Sequence, residues 1–201
     1  DPIAAAFRGR GVVDFDALVE AAKLALPLGV RAVTVDATAV HDSGASEVQE
    51  LAYSLAAGAQ YLRALVEAGF TIEEAAGLID FRYAATDEQF PTIAKFRAAR
   101  RLWNRVAELS GVSTAAAGQL QHAVTSRPMM SKYDPYVNML RTTVASFAAG
   151  VGGAAAVTVL PFDEPLGLPE PFSRRIARNT SSLLISESHV AAVADPAGGA
   201  Y

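Results

Sequence analysis

Apolar residues between positions 46 and 69 recur at Val48, Leu51, Ala52, Leu55, Leu62, Leu65 and Val66, the three- and four-residue spacing that lines one face of an α-helix. Ser46 with Gln49 makes a capping box ahead of this run, and Gly69 supplies its stop. The same periodicity predicts helices over 14–26, 90–109, 135–149 and 172–193. Between them lie short runs of β-branched and aromatic residues at 32–36, 78–83, 119–124 and 156–160, which read as strands. Five helices alternate with four strands, one strand about every 40 residues, and this predicts βα units and a parallel sheet joined by right-handed crossovers.

Polar residues collect just past each strand: Thr38, His41 and Asp42; Thr86 and Asp87; Thr125, Ser126 and Arg127; Asp163 and Glu164. Strand ends deliver side chains to one mouth, so in an α/β barrel this rim binds ligands, and a doubly wound sheet uses the same edge. Four strands cannot close a barrel that needs eight. The expectation is an α/β chain that is either a doubly wound sheet or part of a (β/α)8 TIM barrel, covering four or five βα units. Residues 142–162 carry no charge across a span long enough for a membrane helix. Gly150, Gly152 and Gly153 in the middle and Pro161 near the end instead predict a helix end, a glycine turn and a buried strand. Pro161, Pro165, Pro169 and Pro171 form one rigid βα loop, and no tract reads as an interdomain linker.

Composition narrows the chemistry. Hydrophobic residues make up 51% of the chain and charged ones 19%, the balance of a folded globular protein rather than a disordered one. The absence of cysteine excludes a disulfide framework, a thiolate nucleophile and a cysteine zinc site. A net charge of −4 without long basic runs argues against nucleic acid. Asp1-Pro2 opens the chain without methionine and without a secretory signal, so the expectation is a chain processed or cut from something longer, and the missing cysteines make a cytoplasmic location the natural one.

Three histidines far apart in sequence argue against a multi-histidine metal site, and no metal site is expected. His122 lies within a strand, where it serves either as a core residue or as an acid inside a barrel. His41 beside Asp42 reads as an exposed hydrogen-bonded pair, and His189 as a solvated residue of the last helix. Gly9-Arg10-Gly11 begins like a dinucleotide fingerprint, but Asp14 takes the third glycine position and no strand precedes it, so it reads as a charged loop. Ser43-Gly44-Ala45-Ser46 leads into a helix cap and lacks the flanking glycines of a nucleophile elbow. Met129-Met130 reads as packing. Trp103, next to Arg100 and Arg101, reads as a helix-to-sheet core contact, with an interface anchor as the alternative.

Several strings taken together resemble the methylmalonyl-CoA mutase family. They are Ser43-Gly44-Ala45 with Val48-Gln49-Glu50-Leu51-Ala52-Tyr53; Ile93-Ala94-Lys95-Phe96-Arg97-Ala98-Ala99-Arg100-Arg101-Leu102-Trp103; Asp134-Pro135-Tyr136-Val137-Asn138 with Arg141-Thr142-Thr143; Phe162-Asp163-Glu164 through Arg175-Ile176-Ala177-Arg178-Asn179-Thr180; and Asp195-Pro196-Ala197-Gly198-Gly199. The resemblance implies an adenosylcobalamin-dependent radical rearrangement between methylmalonyl-CoA and succinyl-CoA, with coenzyme A threaded through a TIM barrel. It further implies that residues 1–201 are the C-terminal half of that barrel. The family's cobalamin domain, with its Asp-x-His-x-x-Gly motif, has no counterpart in this sequence.

Departures from the family pattern fall on polar groups. Catalytic members carry Gly-Tyr-His where this chain has Ala37-Thr38-Ala39, and alanine cannot donate the histidine's hydrogen bond to a thioester carbonyl. The family's Arg-x-Ser aligns with Leu78 and Asp80, placing an acid where a coenzyme phosphate is met. Along the next strand His122, Thr125 and Ser126 survive as substrate-binding candidates, while the neighbouring arginine, glutamine and Gly-Trp do not. Thr158-Val159-Leu160 stands where the family has His-Thr-Asn. The resemblance therefore implies the non-catalytic small subunit of a heterodimeric mutase, with no catalytic residue of its own. Adenosylcobalamin is expected on the large catalytic subunit, its partner, and whether acyl-CoA enters this chain is left open. The alternatives are an active acyl-CoA mutase or isomerase using His122, and an open α/β sheet that binds a small molecule.

Overall fold

The computed structural model describes residues 1–198, which leaves Gly199 of the last motif outside the described residues. The chain forms two compact units. Unit 1 comprises Asp1–Arg82 and Ala98–Leu120, and unit 2 comprises Tyr83–Arg97 and the chain from Gln121 onward. In chain order the elements are α1 (Pro2–Phe7), α2 (Asp16–Ala25), β1 (Val33–Asp36), α3 (Thr38–His41), α4 (Glu47–Glu67), α5 (Ile72–Gly77), β2 (Ile79–Ala85), α6 (Gln89–Leu109), β3 (Gln121–Thr125), α7 (Val137–Val151), β4 (Ala156–Thr158) and α8 (Pro171–Ser186). The strands make one parallel sheet in the order β1-β2-β3-β4. The expected α/β alternation is present, and α1, α3 and α5 are short additions to it. Of these, α5 had a legible start, since Thr71 and Glu74 form a second capping box.

In unit 1, the capping box of Ser46 and Gln49 opens α4 as expected, and Gly69 ends it at φ 98°. The buried face of α4 differs from the expected one. Glu50, Ser54, Ala57, Gly58, Tyr61, Leu62 and Leu65 are buried, whereas Val48 is 74% exposed and Val66 41%. Close packing is the reason. A Cβ built on Gly58 would stand 2.8 Å from the Trp103 ring and 3.0 Å from that of Phe81, so where the helix crosses these two rings only a residue without a side chain fits. Trp103 and Phe81 pack with ring centroids 4.7 Å apart, and both are buried. Trp103 is thus the core contact its helical position suggested.

In unit 2, Tyr83 meets Phe96 edge-on at 5.8 Å, and the buried Gln121 donates a 2.9 Å bond to the Phe96 carbonyl. The uncharged span from 142 divides as predicted into the end of α7, a turn at Gly152 and Gly153, and β4. The strand itself is not buried: Ala156 and Thr158 are exposed and Val157 is only half-buried. It lies at one end of the sheet order, opposite β1, which is buried. Helix α8 stops at Ser186 rather than continuing to 193, and His189 sits beyond it, exposed, with φ 51°. No helix among the described residues is long and apolar enough to cross a membrane.

Candidate functional site

Strand geometry sends alternate side chains to opposite faces. In unit 1, Val33, Val35, Ile79 and Phe81 are buried. Thr34, Asp36, Asp80 and Arg82 take the other face, where the register sets Thr34 against Asp80 and Asp36 against Arg82. Asp36 is the centre of this face. Its Oδ2 lies 2.9 Å from Arg8 Nη2 and 3.8 Å from Arg82 Nη1, and its Oδ1 accepts a 2.6 Å bond from the Thr38 hydroxyl. Its backbone N–H donates to the Asp1 carboxylate at 2.6 Å, and the Tyr61 hydroxyl donates to that same carboxylate.

Burial alone would raise the Asp36 carboxyl. The hydrogen bonds from Thr38 and Arg8 and the charges of Arg8 and Arg82 overcome it and hold the group below its ordinary value of 3.8. Nearby, burial and the Asp36 charge together push the Tyr53 phenol up to about 12. A carboxylate with a depressed folded-state value stabilises the fold above its unfolded value, and that contribution is lost as pH falls through the folded one. Stability of the intact polypeptide should therefore decline as the pH is lowered past about 4. Denaturant titrations at stepped pH should show a flatter acid limb for Asp36→Asn, and identical slopes for the two proteins would refute this.

Sequence reasoning singled out neither Asp36, Arg8 nor Arg82. The available signal was an acid ending a β1 made otherwise of β-branched residues. His41, expected to be exposed beside Asp42, is instead only 8% exposed, with Nδ1 3.7 Å from the fully buried Glu50. The reason is α3, a turn of helix that folds the chain back against α4. Gly9 and Gly11 take positive φ in a turn after α1 rather than after a strand, in keeping with the charged-loop reading. Asp80 lies on β2 with a buried Oδ1 that has no hydrogen-bond partner among the described residues.

Unit 2 holds the three residues singled out as substrate contacts. His122 on β3 is half-buried, and its Nε2 lies 2.8 Å from the Thr158 hydroxyl of β4. Thr125 and Ser126 are buried. The Thr125 hydroxyl accepts the Leu160 N–H at 2.9 Å and that of Ser126 accepts the Met129 N–H at 3.3 Å, so both hold backbone in place. Other strand-end groups are paired: Thr86 with Thr92 at 3.0 Å, Arg127 with Glu164 at 2.9 Å, and Asp87 with Arg141 at 3.6 Å. No group of three or more histidine, aspartate or glutamate side chains among the described residues is placed to hold a metal ion.

A parallel α/β sheet with interleaved helices and polar clusters at its strand ends is a scaffold of the kind that α/β enzymes use. The family model for methylmalonyl-CoA mutase matches residues 18–201, and the chain belongs to that family. It is 60% identical over 196 residues to the methylmalonyl-CoA mutase small subunit of Streptomyces virginiae, covering 96% of this chain and 32% of that protein. It is 52% identical over 172 residues to the small subunit of Propionibacterium freudenreichii subsp. shermanii, covering 85% and 27% respectively. Against the methylmalonyl-CoA mutase of Cereibacter sphaeroides, identity is 37% over 172 residues, 84% of this chain and 24% of that protein. The chain thus spans about a third of the length of the small subunits it matches.

Proposed function

We propose that this chain is part of the non-catalytic small subunit of a heterodimeric methylmalonyl-CoA mutase, folded as the C-terminal half of a TIM barrel and working beside a large catalytic subunit in the cytoplasm. The strand order supports the barrel, because each strand neighbours its successor without the reversal of a doubly wound sheet. One observation carries the loss of catalysis. At the end of β1, Ala37, Thr38 and Ala39 are buried, and the one hydroxyl among them is engaged by Asp36 and Arg8. No donor there is free to polarise a thioester carbonyl.

Among the described residues, the three histidines are not placed as cobalamin ligands. His41 is buried beside Glu50, His122 is bonded to Thr158, and His189 stands alone in an exposed turn. The cofactor belongs, on this reading, to the large subunit. A substrate contact from this chain would rest on His122, since Thr125 and Ser126 hold backbone.

The test is reconstitution. The intact polypeptide, given adenosylcobalamin and methylmalonyl-CoA, is expected to form no succinyl-CoA alone and to co-purify with a large subunit that does. Turnover by this polypeptide alone, abolished by His122→Ala, would establish the active-enzyme alternative instead.

A further inference from the structure

Beside β1 in unit 1 lies an open cleft of about 420 Å3 whose lining includes Arg8, Arg10, Arg82, Asp1, Thr34 and Asp36. Three guanidinium groups around one small volume are the usual means of recognising phosphate or carboxylate, because their planar forks match such oxygens in pairs. Here the volume already contains a carboxylate. Asp36 Oδ2 is 2.9 Å from Arg8 and 3.8 Å from Arg82, while Thr38 fixes Oδ1. The second acid, Asp1, is held by the Tyr61 hydroxyl and by the N–H groups of Ala4 and Asp36.

We infer that the cleft is an anion site closed by its own anion: the Asp36 carboxylate is the built-in counterion of the three arginines and excludes small phosphate-bearing ligands. Removing it takes away the carboxylate that lies among the three arginines of the lining. The inference deepens the non-catalytic reading, on which it rests for its meaning. Lost donors remove the chemistry, and the internal carboxylate keeps the ligand's anionic groups out. Asp36 is held in the cleft by Arg8, Arg82 and Thr38. Its carboxyl, held below the ordinary range, stays charged at neutral pH.

Inorganic pyrophosphate is the probe. Calorimetric titration of the intact protein is expected to give no saturable binding attributable to this cleft in the wild type. Asp36→Ala should bind pyrophosphate at least about tenfold more tightly, and the gain should weaken with salt and vanish when Arg82→Ala is added. Asp36→Asn, uncharged and of the same shape, is the second variant should alanine impair folding, and circular dichroism checks both. Wild-type binding that Arg10→Ala or Arg82→Ala abolishes would overturn the inference, as would folded Asp36 variants that bind no better than wild type. These failures are separable from failure of the subunit reading. Turnover by this polypeptide alone would refute that reading without altering the cleft's charge balance, whereas pyrophosphate on the wild type would do the reverse.

Discussion

Trp103→Ala in the intact polypeptide is expected to lower stability by about 3–5 kcal/mol, the range for deleting a large aromatic from a packed core. The indole is 2% exposed and lies against Phe81 and the backbone of α4 at Gly58. Gly58 is what makes the site unforgiving. With no side chain at Gly58 to fill the vacated volume from α4, the cavity term adds to the lost transfer energy. Trp103→Phe keeps a ring over Phe81 and should lose clearly less. Denaturant midpoints followed by far-ultraviolet circular dichroism measure both, with an unchanged slope as the sign that stability alone has moved. A loss below about 1 kcal/mol for the alanine variant would show that this contact is not central to the core.

The second large effect belongs to Asn138. This fully buried side chain donates to the carbonyls of Ser131 and Phe162, both at 2.9 Å, and accepts from the Ser131 N–H at 2.9 Å and from Arg141 at 3.3 Å. It ties the loop before α7 to the chain after β4, next to the stack of Tyr136 on Phe162. Asn138→Ala leaves buried carbonyls without a donor and should cost about 2–4 kcal/mol. Asn138→Asp should be worse at neutral pH, because a carboxylate oxygen then faces two carbonyls where an amide donated. Part of that loss should return in acid, when the protonated carboxyl regains one donor. Thermal melts of the two variants at neutral and acidic pH decide it, and an aspartate variant as stable as alanine at every pH would sink the account.

Asn138 stands inside one of the strings that carried the family resemblance, yet its role could not be read there. Its partners are 7 and 24 residues away along the chain, and nothing in local patterning announces which carbonyls an amide will meet. The same is true of Asp36. Its cations come from α1 and β2, and its charge looks like any strand-end acid until β1 and β2 are set in register. Local signals fared better. The capping box of Ser46 and Gln49 acts over four residues and the glycine stop over one, so both were contained in the sequence, as was the Thr71 and Glu74 box that the sequence reading did not pick out.

The face of α4 shows the boundary between the two kinds of information. Periodicity located the helix because the 3.6-residue repeat is a property of the chain alone. It placed Leu62 and Leu65 correctly inside but set the edges of the face wrongly, because Val48 and Val66 are more apolar than Ser54 and Gly58, and hydrophobicity favours the larger side chain when distance is unknown. Once Trp103 and Phe81 stand beneath the helix, steric fit decides, and the small residues go inside.

By itself, then, the sequence determined the alternation of strands and helices, the cap of α4 and the lack of cysteine in this chain. These are local or compositional properties. Only the tertiary structure decided which faces are buried, that β4 is exposed, that His41 turns inward to Glu50, and that Asp36 lies among three arginines. Each of those depends on elements distant in sequence meeting at a few ångströms, where packing and charge act and periodicity carries no information.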